Sequence, residues 1–106
     1  MIVFFLLLCY PTVTNQNRKE FPVMLEYRYD TQLLIEGEDL DEDEIHDYFT
    51  DHFKGDCLLA VGDEDLIKIH YHTNEPWKVL EYCSTLGEIF DIVVEDMDRQ
   101  ERGLKG

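Results

Sequence analysis

Residues 66–72, Leu66-Ile67-Lys68-Ile69-His70-Tyr71-His72, decide the fold because apolar and polar side chains alternate along them. Successive side chains of a β-strand point to opposite faces, so this period of two predicts a strand with one buried face. The buried face would carry Ile67, Ile69 and Tyr71, and the other face Lys68, His70 and His72. The two histidines are therefore expected to lie side by side on the same face of one strand.

Further strands and helices are predicted on either side of this strand. Residues 57–61 form a short apolar run, which predicts a hairpin partner that turns around Gly62. Apolar side chains at helical spacing predict helices over residues 41–54 and between Asn74 and Gly87, and Asp41 begins a capping box. Strands are also predicted over residues 27–36 and 88–95.

The order strand, helix, strand, strand, helix, strand is that of the ferredoxin-like α+β fold. Right-handed crossovers place the first and third strands side by side at the centre of a four-stranded antiparallel sheet, with two helices on one face. On the first strand, the helix-facing side chains would be those of Tyr29, Thr31, Leu33 and Ile35, and the open face would carry Arg28, Asp30 and Gln32. Asp30 is therefore a predicted neighbour of His70 and His72.

Asp30, His70 and His72 together form a ligand set that suits Zn²⁺ or another divalent metal. Water, or a group from a second copy of the chain, would take the fourth position. The simpler interpretation is two solvated histidines on an exposed sheet face, with Asp30 as an ordinary polar neighbour. The other candidates are expected to form turns or to face water, namely Asp56, Asp63, Asp65, His46 and His52.

Composition narrows the class of protein. A length of 106 residues with 44% hydrophobic residues fits one compact domain. The net charge of −15 repels nucleic-acid phosphates and anionic lipid headgroups, so neither is an expected partner.

Three cysteines at unpaired spacings predict no disulfide framework, and we expect Cys57 and Cys83 to be reduced, inert core residues of a cytoplasmic protein. No glycine-rich phosphate loop or nucleophile elbow is present, so no catalytic residue is predicted.

Residues 2–10 are almost entirely apolar, but a helix that crosses a bilayer needs about 20 such residues. The run also lacks the preceding basic residues and the following cleavage site of a signal peptide. We therefore expect residues 1–20 to be an apolar leader and linker outside the fold, with no membrane span. The domain would cover residues 21–100, and residues 101–106 would be a charged tail.

Several stretches, in the same order, resemble the middle domain of bacterial fatty acid kinase A subunits, which are dihydroxyacetone-kinase-like (DAK, DegV-associated) proteins. They cover about residues 24–100 and include Tyr29-Asp30-Thr31-Gln32, Gly55-Asp56-Cys57-Leu58-Leu59-Ala60-Val61-Gly62-Asp63 and Lys68-Ile69-His70-Tyr71-His72-Thr73-Asn74-Glu75-Pro76. The resemblance implies a module that is implicated in dimerisation and carries a zinc site built from one cysteine and an HxH pair. His70 and His72 match the pair, whereas Asp30 stands where the family has its cysteine.

The resemblance also implies how such a module works. The family's ATP-binding kinase domain has no counterpart in these 106 residues. The expected function is therefore a non-catalytic metal-binding or dimerising module that acts as a homodimer with a kinase-domain or fatty-acid-binding protein partner. Two other functions stay open. Asp30, His70 and His72 could hold a metal that activates water in a small hydrolase or phosphatase, and ferredoxin-like domains also serve as ligand sensors.

Overall fold

The computed structural model describes residues 25–106, which form four strands and three helices. The strands are β1 (Tyr29–Glu36), β2 (Gly55–Gly62), β3 (Leu66–Thr73) and β4 (Glu88–Asp96), and the helices are α1 (Glu42–His52), α2 (Pro76–Leu86) and α3 (Met97–Glu101). The strand order in the sheet is β2-β3-β1-β4, and every neighbouring pair is antiparallel. The predicted α+β arrangement, with β1 and β3 at the centre, is confirmed.

The predicted limits of the strands and of the first two helices differ from the observed ones by at most two residues. The short helix α3 comes in addition, at the start of the charged C-terminal segment. The leader and linker expected over residues 1–20 lie outside the described residues. Among residues 25–106, no helix is long and apolar enough to cross a membrane.

Both longer helices begin where the sequence predicts. The Asp41 carboxylate accepts hydrogen bonds from the backbone N–H groups of Asp43 (2.9 Å) and Glu44 (3.1 Å), which caps α1. Pro76 opens α2, where its missing N–H costs no hydrogen bond. Ile45 and Phe49 on α1 are buried, as are Val79 and Cys83 on α2. Each pair is one helical turn apart, so each helix turns one apolar stripe towards the sheet.

The hydrophobic core lies between these stripes and one face of the sheet. The buried sheet residues on that face are Leu33, Ile35, Ala60, Ile67, Ile69 and Tyr71. Leu33 is paired with Ile69 and Ile35 with Ile67 across β1 and β3, so the central strands supply most of this face. Because neighbouring residues alternate between the faces, the polar residues of the same two strands are directed to the opposite side of the sheet.

A salt bridge ties the beginning of β1 to the end of β4. Arg28 donates three hydrogen bonds of 2.8–3.0 Å to the Asp96 carboxylate, and these bonds are the main reason that the pKa of Asp96 lies below its usual value. Asp96 also caps α3 by accepting from the Arg99 backbone N–H at 3.1 Å. This contact anchors β1 two residues before Asp30.

Candidate metal centre

Asp30, His70 and His72 meet on the sheet face that lies opposite the helices. In the β1–β3 register, Asp30 is paired with His72 and Gln32 with His70. Asp30 Oδ1 lies 3.5 Å from His70 Nε2 and 3.9 Å from His72 Nε2, and the two Nε2 atoms are 3.1 Å apart. The structure therefore brings together the three residues that the sequence singled out as metal ligands.

These three distances suit one shared cation. Ligand atoms at about 2.0–2.1 Å from a tetrahedral Zn²⁺ are about 3.4 Å from one another. The observed spacings of 3.1, 3.5 and 3.9 Å surround that value. Two imidazole nitrogens and one carboxylate oxygen are also ligand types that zinc and other borderline divalent cations accept. One ion among the three atoms would leave its fourth position to another donor.

The site is buried, which differs from the open sheet face that the sequence predicts. Asp30 and His70 have no exposed surface, and His72 is 3% exposed. Within the sheet the site is flanked on both sides, because Leu59 of β2 is paired with His70 and Glu95 of β4 is paired with Asp30. The simpler interpretation, two solvated histidines on an exposed face, is therefore wrong.

Burial sets the protonation state of the three groups. Desolvation raises the pKa of Asp30 to about 6, and the nearby Glu95 carboxylate raises it as well. Desolvation lowers the pKa of His70 to about 4, assisted by the charges of His72 and Lys68, and it lowers the pKa of His72 to about 4. At pH 7 both imidazoles are therefore neutral and the carboxyl group is mostly ionised. These are the protonation states that metal ligation requires, and they also mean that the His–Asp contacts are not ion pairs.

Gln32 is a member of the site that the sequence motifs did not mark. Its side-chain amide, which is 4% exposed, donates to both oxygens of Asp30 at 3.3 and 3.2 Å. These bonds hold the carboxylate beside the histidines and lower its pKa against the effect of burial. The signal was present in the sequence, since residues two apart on a strand share a face. Metal ligands are commonly oriented by such neighbours.

Two expectations about Asp56 and Cys57 are wrong. Asp56 is not a turn residue but lies within β2, paired with His72, and its Oδ1 is 3.6 Å from His72 Nδ1. Cys57 is half-buried at a distortion of the same strand, and it is not part of the core. Cys83, in contrast, is fully buried on α2, where desolvation raises its pKa to about 12.

The remaining acidic and histidine candidates behave as predicted. Asp63 caps the β2–β3 turn by accepting from the backbone N–H groups of Asp65 (2.9 Å) and Leu66 (3.0 Å). His46 and His52 on α1 are exposed.

A cavity of about 110 Å³ on the site's side of the sheet is lined by Gln32, Leu33, Leu34, Lys68, Asp91 and Val93. None of these residues is one of the three candidate ligands.

A family model for the FakA-like middle domain, the middle domain of proteins similar to the fatty acid kinase A subunit, matches residues 26–104. The chain belongs to this family. The match includes all four strands and the three candidate ligands, so the candidate metal centre lies within the matched domain. The family assignment that the sequence motifs predicted is therefore confirmed.

Curated relatives are much longer than this chain. An uncharacterised protein of Staphylococcus haemolyticus (strain JCSC1435) is 32% identical over 80 residues, which are 74% of this chain and 14% of the relative. Uncharacterised proteins of Staphylococcus aureus strains USA300 and NCTC 8325 are each 44% identical over 48 residues, or 45% of this chain and 9% of the relative. The chain thus corresponds to a small part of the relatives that it matches.

Proposed function

We propose that this chain is a non-catalytic module that holds zinc or another divalent metal, forms a homodimer and acts with a kinase partner in the cytoplasm. The observation that carries the metal part is the buried cluster of Asp30, His70 and His72, with ligand atoms 3.1–3.9 Å apart. Membership of a kinase-subunit family supports a partner with a kinase domain, or a fatty-acid-binding protein of the same system.

Burial favours a structural over a catalytic metal. Structural zinc sites are closed by four protein ligands, whereas catalytic sites keep one position open to water and substrate. A structural ion here would therefore take its fourth ligand from another group, such as one of a second copy of the chain. The three ligands here are 0–3% exposed, and the cavity beside Gln32 does not include them in its lining. A metal at this position would join β1 to β3 and stabilise the sheet. We therefore place this role before that of a hydrolase or phosphatase, which would require substrate to reach the ion.

Exchanging the ligand at position 30 tests the metal centre. We expect Asp30→Cys to bind Zn²⁺ at least about tenfold more tightly, equivalent to about 1.4 kcal/mol, because a thiolate is the softer ligand for this metal. We expect Asp30→Asn, which keeps the shape but loses the charge, to bind more weakly than the unaltered chain. Competition with a chromophoric chelator measures both affinities. Equal affinity of the Asp30→Asn variant and the unaltered chain would show that Asp30 is not a ligand.

The edge strand β4 carries exposed apolar side chains that support a homodimer. Three of its large apolar side chains are exposed, Phe90 by 40%, Ile92 by 45% and Val94 by 39%. Edge strands offer unpaired backbone groups, and exposed apolar side chains on them mark surfaces that bind other chains. β4 and β2 are the two edges of this sheet, and the apolar group makes β4 the better candidate for contact with a second copy.

Sedimentation velocity over a range of protein concentrations tests this association. We expect a concentration-dependent dimer that Ile92→Glu on β4 weakens at least about tenfold, since the change adds a charge to an apolar contact. Val61→Glu is the matched control, because Val61 is 43% exposed on the other edge strand, β2. The runs require physiological salt, which screens the repulsion between two copies with a net charge of −15 each. A monomer at every concentration would contradict the dimer.

A further inference from the structure

Strand β2 contains a β-bulge directly beside His72. Asp56 is paired with His72 and Leu59 with His70, so two residues of β2, Cys57 and Leu58, lie opposite the single residue between the histidines. Cys57 adopts a positive φ of 54°, as the extra residue of a bulge often does. Bulges change the direction in which side chains point, so this bulge determines the side of β2 on which the Cys57 sulfur lies.

The bulge moves Cys57 away from the core side of β2. In a regular strand Cys57 would follow Asp56 on the helix-facing side, but Leu58 packs against the core instead. The Cys57 thiol hydrogen-bonds to the Asp56 carboxylate. One ligand atom from each of Asp56, Cys57 and His72 lies within 4.8 Å of the others. The strand distortion thus assembles a thiol, a carboxylate and an imidazole at one place.

This group differs from the first one in its exposure to solvent. The Asp56 side chain is 55% exposed and Cys57 is half-buried, so an ion and its water ligands can reach them directly. The group also uses the other ring nitrogen of His72, because Nδ1 is 3.6 Å from Asp56 Oδ1 while Nε2 points to Asp30 and His70. β2 can approach β3 this closely because residue 55 is glycine, where a Cβ atom would collide with the His72 carbonyl oxygen and the Tyr71 ring.

We propose that Cys57, Asp56 and His72 Nδ1 form a second cation site, open to solvent and selective for soft divalent cations such as Cd²⁺. Sulfur ligands favour soft metals, whereas the first group has only nitrogen and oxygen donors. When the sulfur–metal bond forms, the thiol proton is released to solvent. A neutral imidazole has one nitrogen with a free electron pair, so His72 serves one group at a time and the two groups compete for it.

A cadmium titration of the full chain, followed by ultraviolet absorbance, tests the proposal. The sulfur-to-cadmium charge-transfer band reports thiolate ligation directly. We expect this band to saturate at one Cd²⁺ per chain and to disappear in Cys57→Ser. In Asp56→Asn the Cd²⁺ affinity measured from the band should fall at least about tenfold. The band should persist in a Cys9→Ser/Cys83→Ala double variant, in which Cys57 is the only cysteine, and in His70→Ala, which removes a ligand of the first group alone.

The outcomes separate the second site from the first. A band that is absent from the unaltered chain, or that survives Cys57→Ser, overturns the second site. Zinc binding that depends on Asp30 and His70 would leave the proposed function standing in either case. X-ray absorption of the cadmium-loaded single-cysteine chain does not depend on the folding of Cys57→Ser. A sulfur atom in the first coordination shell supports the site, and a shell of only nitrogen and oxygen overturns it.

Discussion

Replacing His70 by alanine is expected to abolish the stabilisation of this chain by Zn²⁺. His70 is fully buried, and its Nε2 lies within 3.5 Å of the ligand atoms of both Asp30 and His72. An ion that binds only the folded chain stabilises it by about 2.7 kcal/mol when its free concentration is about 100 times the Kd. For a domain of this size such a stabilisation raises the Tm by about 10 °C or more. Mutating a residue that only orients a metal ligand costs roughly 10–100-fold in metal affinity. Losing one of three direct ligands should cost more.

Thermal unfolding with and without Zn²⁺ measures this effect, with an EDTA-treated sample as the metal-free reference. His46→Ala is the matched control, because His46 is an exposed histidine on α1, on the other side of the sheet from the site. Its Tm should rise with Zn²⁺ as much as that of the unaltered chain. A Zn²⁺-dependent rise of the same size in His70→Ala would show that the ion binds elsewhere, and the metal part of the proposed function would then fail.

The alternation of residues 66–72 was sufficient to predict which side chains meet at the site. A period of two puts His70 and His72 on one face, and the ferredoxin-like order makes β1 the neighbour of β3, which brings Asp30 to His72. Both inferences depend only on regular strand geometry. The central pair β1–β3 is regular over eight consecutive residue pairs, and for this reason the prediction is correct there.

The parts of the site that could not be predicted depend on irregular geometry and on burial. The β2 bulge adds one residue to the strand, and residues with a positive φ are usually glycine, asparagine or aspartate, so Cys57 gives no sign of it in the sequence. Gly55-Asp56 resembles a turn, yet both residues are in β2. Alternation also assigns a face but not its exposure. Lys68 and His70 are on the same face of β3, but the first is partly exposed and the second is fully buried.

Replacing Phe49 by alanine is expected to remove much of the folding free energy of the chain. Phe49 is fully buried, and its ring contacts Phe53 and Tyr71 edge to face at centroid distances of 5.1 Å and Tyr82 at 5.9 Å. Truncation of such a side chain costs about 3–5 kcal/mol, from lost burial and the cavity that is left. Because a domain of this size is stable by only about 5–15 kcal/mol, the variant should be close to unfolding.

Urea denaturation in the presence of EDTA isolates this effect from that of the metal. Val61→Ala is the control, since Val61 is 43% exposed on β2, away from the proposed dimer contact on β4, and its truncation should cost roughly 1 kcal/mol or less. The difference between the two variants arises because the helix-facing side of the sheet carries the stability, while its other side carries buried polar groups that a cation can compensate. Equal losses of stability in Phe49→Ala and Val61→Ala would contradict this division, because they would mean that α1 does not pack on the sheet through Phe49.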